Sequence, residues 1–250
     1  DSLGRIVITS FKTNVLTGEE QEMPYAPFDY LHHDWEPKAN WYTGGRACRS
    51  NGEEYFVSTY QRITGHYDIT SSLNLYNITD DEWVYYQQVL LSAEKGGSTS
   101  GFPEIADGIV LNVVGKSISA NDLWTGDSLW LNTRGGNYVF GGFIEHEGYV
   151  YALAEADALY CYDLYTGEQC WRMGDDGLGT TSQMAYLNGV IYFVSGGNGN
   201  LMAVDMQTGE LLWNMVSPDK ESFKREVFVV PRENGEKGKV LTATYESVVC

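Results

Sequence analysis

Apolar and polar positions alternate with a period of two along much of the chain. The segment Leu201–Asp205 sets Leu201, Ala203 and Asp205 against Met202 and Val204, the pattern of side chains pointing to opposite faces of a β-strand. Runs at 148–153 and 189–194 are strand-sized and follow Glu147-Gly148 and Asn188-Gly189, pairs suited to tight hairpins. No apolar run approaches the roughly 20 residues that a membrane-spanning helix needs. The pattern predicts an all-β protein.

The alternating strands recur in register. Asp122-Leu123-Trp124-Thr125-Gly126-Asp127-Ser128-Leu129-Trp130 is matched by Asp163-Leu164-Tyr165-Thr166-Gly167-Glu168-Gln169-Cys170-Trp171. It is matched again by Asp205-Met206-Gln207-Thr208-Gly209-Glu210-Leu211-Leu212-Trp213. Weaker copies are Asn14-Val15-Leu16-Thr17-Gly18-Glu19 and Asn77-Ile78-Thr79-Asp80-Asp81-Glu82-Trp83. The Thr-Gly pair reverses the chain, because glycine takes a positive φ at little cost. The tryptophan that follows suits the wedge between neighbouring sheets. Four strands per repeat of about 42 residues make one propeller blade. Blades are expected at 40–92, 102–134, 138–176 and 179–217. The tail (227–230, 239–244, 247–250) offers inner strands and the head (5–14, 20–25) outer ones. The expected fold is therefore one domain over 1–250, a β-propeller of four-stranded antiparallel blades. Five blades are expected, with six as the alternative count, and a blade shared by head and tail closes the ring and removes the free edge. A fragment of a larger propeller sensor or receptor is the other organisation left open.

The unit of apolar strand, Asp-x-x-Thr-Gly-Glu and x-x-Trp resembles the quinoprotein-like repeat. It resembles the blades of pyrroloquinoline-quinone (PQQ) dehydrogenases and, more closely, those of the propeller lipoprotein of the bacterial outer-membrane barrel-assembly machinery. The resemblance covers about residues 100–217. The quinone enzymes it points to carry eight blades, a vicinal disulfide and Ca²⁺ beside the quinone. This chain of 250 residues has no adjacent cysteines and is too short for eight such blades, so no active-site residue carries over and no PQQ is expected. The non-catalytic relatives imply a rigid docking disc in the cell envelope, periplasmic or surface-exposed and carried as a lipoprotein.

A net charge of −18 removes nucleic acid and anionic lipid from the list of partners. The start of the sequence shows no basic-then-apolar signal peptide. The segment 24–37 is long for a propeller loop and rich in aromatic residues. Strand order places it on one face of the disc with His66, Asp157 and Asp175. On that face Tyr30, His32, His33, Asp34 and Trp35, with His66, Asp157 and Asp175, form the candidate binding surface for a protein, peptide or glycan. The alternative for the aromatics is a lid packed over the blade edge. His32, His33, Asp34 and His66 have the chemistry of a Zn²⁺ or Mn²⁺ site, but adjacent histidines on an extended chain point apart and no metal is assigned. His146, in a turn on the opposite face, is read as solvated.

Glu155, Asp157, Asp175 and Asp176 are the carboxylates that a carbohydrate-active enzyme would use, and they also have the chemistry of a Ca²⁺ site. Turn positions favour Asp for backbone reasons alone, and no catalytic residue is assigned. Cys161 and Cys170 face each other across the Leu-Tyr-Thr-Gly loop if Asp163 pairs with Glu168. They are then a possible disulfide, or two small buried side chains. The expectation is a non-enzymatic binding propeller, with a hydrolase or lyase acting through the loop-face carboxylates as the alternative.

Overall fold

Every regular element among the described residues of the computed structural model is a β-strand. The described residues are 11–14, 16–22, 40–65, 68–90, 99–133, 139, 142–155, 157–174, 182–224, 226–232 and 238–250. Four antiparallel four-stranded sheets follow one another along the chain, each strand pairing with its sequence neighbours. Blade 1 holds β3 (Asn40–Ser50), β4 (Glu53–Gly65), β5 (Asp68–Asn77) and β6 (Glu82–Val89). Blade 2 holds β7 (Thr99–Ala106), β8 (Ile109–Val114), β9 (Ser117–Asp122) and β10 (Ser128–Thr133). Blade 3 holds β11 (Phe143–His146), β12 (Tyr149–Leu153), β13 (Leu159–Asp163) and β14 (Gln169–Met173). Blade 4 holds β15 (Ala185–Leu187), β16 (Val190–Val194), β17 (Leu201–Asp205) and β18 (Leu211–Met215). The fold is an all-β propeller, with blades where the repeat predicts them.

The tail forms a three-stranded sheet of β19 (Phe228–Val230), β20 (Lys239–Ala243) and β21 (Val248–Val249). The head forms a hairpin of β1 (Phe11–Thr13) and β2 (Glu20–Glu22). The expected blade shared by head and tail is not among the pairings: within the described residues no ladder joins β1–β2 to β19–β21. The ladders that form in each terminal sheet are local, between strands close in sequence.

The hydrophobic core is a series of layers between blades. One joins Leu111, Ile118, Ala120 and Trp130 of blade 2 to Val150, Ala152, Tyr160, Tyr162 and Leu164 of blade 3. The next joins Tyr151, Leu153, Leu159 and Cys161 to Ile191, Phe193, Met202, Val204 and Met206 of blade 4. Alternate residues of one strand thus serve different layers, so Tyr160 and Tyr162 face back while Leu159 and Cys161 face forward. That explains why the central strands β8 and β13 are buried on both faces.

Two turns hold the same face of each blade. The carboxylate of Asp163 accepts from the amides of Tyr165 (3.0 Å) and Thr166 (2.8 Å), and that of Asp205 from Gln207 (3.0 Å) and Thr208 (2.8 Å). Thr166 and Thr208 add a hydroxyl donor at 3.0 Å each, and the Gly167 and Gly209 amides close onto the Asp carbonyls at 2.9 Å. The residue after each Asp then reaches sideways. Leu123, Leu164 and Met206 donate their amides to the carbonyls of Gly108, Gly148 and Gly189 at 2.8–2.9 Å. These glycines belong to the inner hairpins Asp107-Gly108, Glu147-Gly148 and Asn188-Gly189, in which both residues have positive φ, as a type I′ turn requires.

The tryptophan after the turn ties one blade to the next. Trp130 pairs opposite Ala120, Trp171 opposite Cys161 and Trp213 opposite Ala203, each beside a β-bulge. The Trp130 indole donates to the Leu164 carbonyl of blade 3 at 2.8 Å. Its ring lies where a side chain at Gly167 would stand, 2.5 Å from an ideal Cβ, and Trp171 lies 2.7 Å from that of Gly209. At the junction of blades 1 and 2 the sequence copy ending in Trp83 misplaces the anchor. Tyr85, eight residues after Asn77 and so in the column of Trp130, lies with Gln88 against Gly126, while Trp83, in the column of Ser128, packs edge-on to Tyr76 at 5.0 Å. In the series, Gly18 of the head turn meets nothing within 4 Å, and Trp213 remains partly exposed.

Two measurements test this account. Gly52 and Gly167 both have positive φ, but only Gly167 faces an indole. Gly52→Ala is expected to cost about 1–2 kcal/mol for the left-handed backbone alone. Gly167→Ala carries a further ~1–3 kcal/mol of overpacking; equal losses in urea denaturation would refute the docked tryptophan. Asp163 and Asp205 are held below the usual carboxylate range chiefly by the amides of Thr166 and Thr208. Their stabilisation is complete above the unfolded-chain value of about 3.9. It is lost as pH falls through the lower folded-state values. The double variant Asp163→Asn/Asp205→Asn should keep the turns, as Asn14 and Asn77 do in the weaker copies. The dependence of its urea midpoint on pH should flatten between about pH 5 and 2.

Candidate functional site

A groove of about 640 Å³ opens between blades 3 and 4, on the face that carries the two turns. Its walls are His146, Glu147, Tyr149, Tyr151, Cys161, Cys170 and Trp171 from blade 3, and Tyr186, Gly189, Asp205, Met206 and Gln207 from blade 4. The cause lies in the residue two after the turn aspartate. Trp124 fills that place in blade 2 and packs edge-on against Tyr55 of blade 1 at 5.1 Å. Tyr165 fills it in blade 3 and donates to the Asp107 carboxylate of blade 2 at 2.7 Å. Blade 4 has Gln207 there, and the gap that a ring fills at the two preceding junctions stays open.

The groove has a fixed lining. His146 packs against Tyr186 with ring centroids 4.4 Å apart and the planes tilted by 38°, and its Nε2 lies 3.0 Å from the Tyr186 hydroxyl. Tyr151 and Trp171 pack at 5.8 Å. Burial pushes the Tyr151 phenol well above its ordinary value, and the nearby Cys161 adds to the shift. Burial also pushes the Cys161 thiol up, to about 12, with Cys170 beside it reinforcing the shift. Both groups are therefore neutral at pH 7, and the groove offers aromatic faces and hydrogen-bond donors, with the carboxylates of Glu147 and Asp205 at its edge.

Residues 114–244 match the model of the family described as outer membrane protein assembly factor BamB. The chain belongs to this family. The match spans the outer end of β8 through β20, so the groove lies inside it. Among solved structures, Saccharomyces cerevisiae Sqt1 superposes over 96% of this chain and 64% of its own, at 13% identity and a TM-score of 0.64. A europium-containing methanol dehydrogenase superposes over 82% of this chain and 47% of its own, at 14% identity and a TM-score of 0.56. BamB from Moraxella catarrhalis matches over 65% of this chain and 60% of its own, at 15% identity and a TM-score of 0.46. The chain thus spans less than two thirds of these proteins. No curated protein matches it. The likenesses to Sqt1 and to the methanol dehydrogenase show the fold alone.

For a BamB-family blade the structure also places the residues singled out from sequence. Tyr30, His32, His33, Asp34, Trp35, His66, Asp175 and Asp176 lie outside the described residues. Asp157 is buried, which corrects its assignment to an exposed loop. Its carboxylate accepts from the Tyr160 hydroxyl at 2.8 Å and pairs with Arg172 at 3.0 Å. A short loop over small residues, with Ala154 and Ala158 fully buried, draws the side chain inward, where it ties β14 to the β12–β13 loop. That engagement takes Asp157 out of any paired-carboxylate chemistry. His146 is the opposite case, a groove wall where solvation was expected.

The expected face-to-face register of Cys161 and Cys170 is also corrected. A bulge sets Cys161 opposite Trp171 and leaves Cys170 as the extra residue. Both are free thiols, Cys161 buried and Cys170 exposed. Among the described residues no group of three or more His, Cys, Asp or Glu could hold a metal ion, and no helix is long and apolar enough to cross a membrane. The groove was missed because its cause is a departure from the repeat at one position, Gln207, visible only when the three good copies are compared column by column.

Replacing Arg172 by Ala strands a buried carboxylate, with an expected loss of about 1–3 kcal/mol. Asp157→Asn in the same chain should recover part of it, which a double-mutant cycle in urea measures.

Proposed function

We propose that the chain is a non-enzymatic docking propeller of the bacterial cell envelope. In this reading it is a single PQQ-like propeller domain that binds a partner on its rigid disc, in keeping with the assembly-factor description of its family. The observation that carries the reading is the groove between blades 3 and 4. It is pre-formed, walled by Tyr149, Tyr151, Trp171, Tyr186 and His146, and within the ~300–1,000 Å³ usual for ligand sites. Rings with hydrogen-bonding edges favour an extended peptide carrying an aromatic side chain. The face bearing Tyr30, His32, His33, Asp34, Trp35, His66 and Asp175 stands in the same proposal as a second contact surface for a protein, peptide or glycan. The reading requires no quinone. It places the protein in the periplasm or on the cell surface, carried as a lipoprotein.

The chain's own repeats supply the test. Gln207→Tyr puts into blade 4 the residue that blade 3 uses at the same place, so the variant should fold and melt as wild type while filling the groove. Labelled ten-residue peptides with a central aromatic or aliphatic residue, and bacterial cell-wall glycans, are titrated by fluorescence anisotropy. Wild type should select the aromatic peptides, and Gln207→Tyr should weaken them at least tenfold, about 1.4 kcal/mol. Equal binding by the two proteins, or cleavage of a glycan, overturns the reading.

A further inference from the structure

We infer that Cys161 and Cys170 are a reversible dithiol–disulfide pair set in the wall of the groove. The inference goes beyond the docking reading and does not depend on it. Three observations on different links of the structure support it.

The first is the repeat. Cys161 stands opposite the tryptophan, where blades 2 and 4 have Ala120 and Ala203. Cys170 stands at the bulge, where they have Leu129 and Leu212. Only blade 3 of the three departs at these columns, and it departs at both, each time to cysteine. The second is the bulge itself. Two residues of β14 oppose one of β13, and in this geometry the extra residue leans toward the face of its neighbour. Cys170 therefore shares the forward face with Trp171 and Cys161. Both cysteines line the same groove. The third is unequal access, since Cys170 is exposed and Cys161 buried.

Unequal access sets the order of events. The exposed Cys170 reacts first, as its thiolate, with a low-molecular-weight disulfide such as oxidised glutathione. Its sulfur attacks one glutathione sulfur, the S–S bond breaks, and one glutathione thiolate leaves and takes a proton. The mixed disulfide on Cys170 is then held beside Cys161. Cys161, which burial keeps protonated until then, gives up its proton as its sulfur attacks that of Cys170. The second glutathione leaves as the thiol. Two electrons and two protons have passed from the cysteine pair to one glutathione disulfide, leaving one protein disulfide and two glutathione thiols. A dithiol reductant reverses the sequence. Closure joins β13 to β14 just below the rim where Tyr151 and Trp171 meet, so the groove wall takes two forms.

The test uses the intact chain. Cys161 and Cys170 fall within the single tryptic peptide 135–172, which has no internal Lys or Arg. The folded chain is equilibrated with reduced and oxidised glutathione in varying ratio, quenched with acid, alkylated, digested and weighed. The expected result is a peptide two hydrogen masses lighter and without alkyl groups, rising with the proportion of oxidised glutathione and returning to the doubly alkylated form with dithiothreitol. Cys170→Ser, at an exposed position, should fold normally and show no glutathione on Cys161. Cys161→Ala, which copies the residue of blades 2 and 4, should trap glutathione on Cys170. Two alkyl groups on the wild-type peptide at every ratio, or glutathione retained on wild-type Cys170 without closure, overturns the proposal. These outcomes are independent of peptide binding, so failure here leaves the docking reading standing.

Discussion

The structure depends on an indole packed over a glycine. Trp130 and Trp171 lie flat against the turns at Gly167 and Gly209, so close that no side chain fits between. Each contact joins the outer strand of one blade to the outer turn of the next. Strand pairing cannot do this, because each sheet's ladder ends at its own outermost strand. The outward flare between blades must be filled by something broad and flat, and the indole also carries a donor, which Trp130 gives to the Leu164 carbonyl. The rest of the motif serves that contact. Glycine clears the seat, and Asp and Thr bind the amides that a reversed chain would leave bare. The small residue across the ladder, Ala120, Cys161 or Ala203, makes room for the ring.

The same turn fixes the inner part of each blade. Leu123, Leu164 and Met206 are buried by their side chains, and each spends its amide on the carbonyl of the inner hairpin. The outer turn, inner hairpin and neighbouring blade are therefore positioned together. One consequence is that the residue one step further on, Trp124, Tyr165 or Gln207, always stands at the mouth of the gap between blades. That residue decides whether the gap is closed or open, and it can vary without disturbing the turn, because its side chain takes no part in the turn's hydrogen bonds.

Strand alternation, the repeat, the type I′ pairs and the role of tryptophan were legible in the sequence because each rests on local chemistry that recurs. What failed to read depended on register or distance. The Trp83 copy pointed to the wrong aromatic: Tyr85, eight residues after Asn77, stands in the column of Trp130, and a tyrosine there does not match the tryptophan of the pattern. A bulge, which leaves no mark in an alternation pattern, defeated the simple pairing of Cys161 with Cys170. Asp157 was assigned to an exposed loop because loops are usually wet. Its burial follows from Arg172, 15 residues away on another strand, a pairing that no short window contains. The groove was illegible for a third reason, since it is the absence of a ring where the pattern supplies one.

In a repeat protein the informative residues are those that break the pattern without repairing it. Blade 1 breaks it often and repairs each break: Asn77 caps its turn in place of Asp, Asp81 takes the positive φ of glycine, and Tyr85 replaces the indole. Those substitutions keep the original role, as expected of drift under a structural constraint. Gln207, Cys161 and Cys170 keep none. Gln207 leaves open a gap that a ring fills at the two preceding junctions, and the two cysteines put thiols where blades 2 and 4 have the hydrocarbon side chains of alanine and leucine. They come from two blades and three strands or turns, yet all line one groove, with His146 and Tyr186 across its mouth. Unconstrained drift would have scattered such changes around the disc. Their convergence on one junction is the reason to regard that junction, rather than the disc as a whole, as the place where this propeller's own chemistry resides.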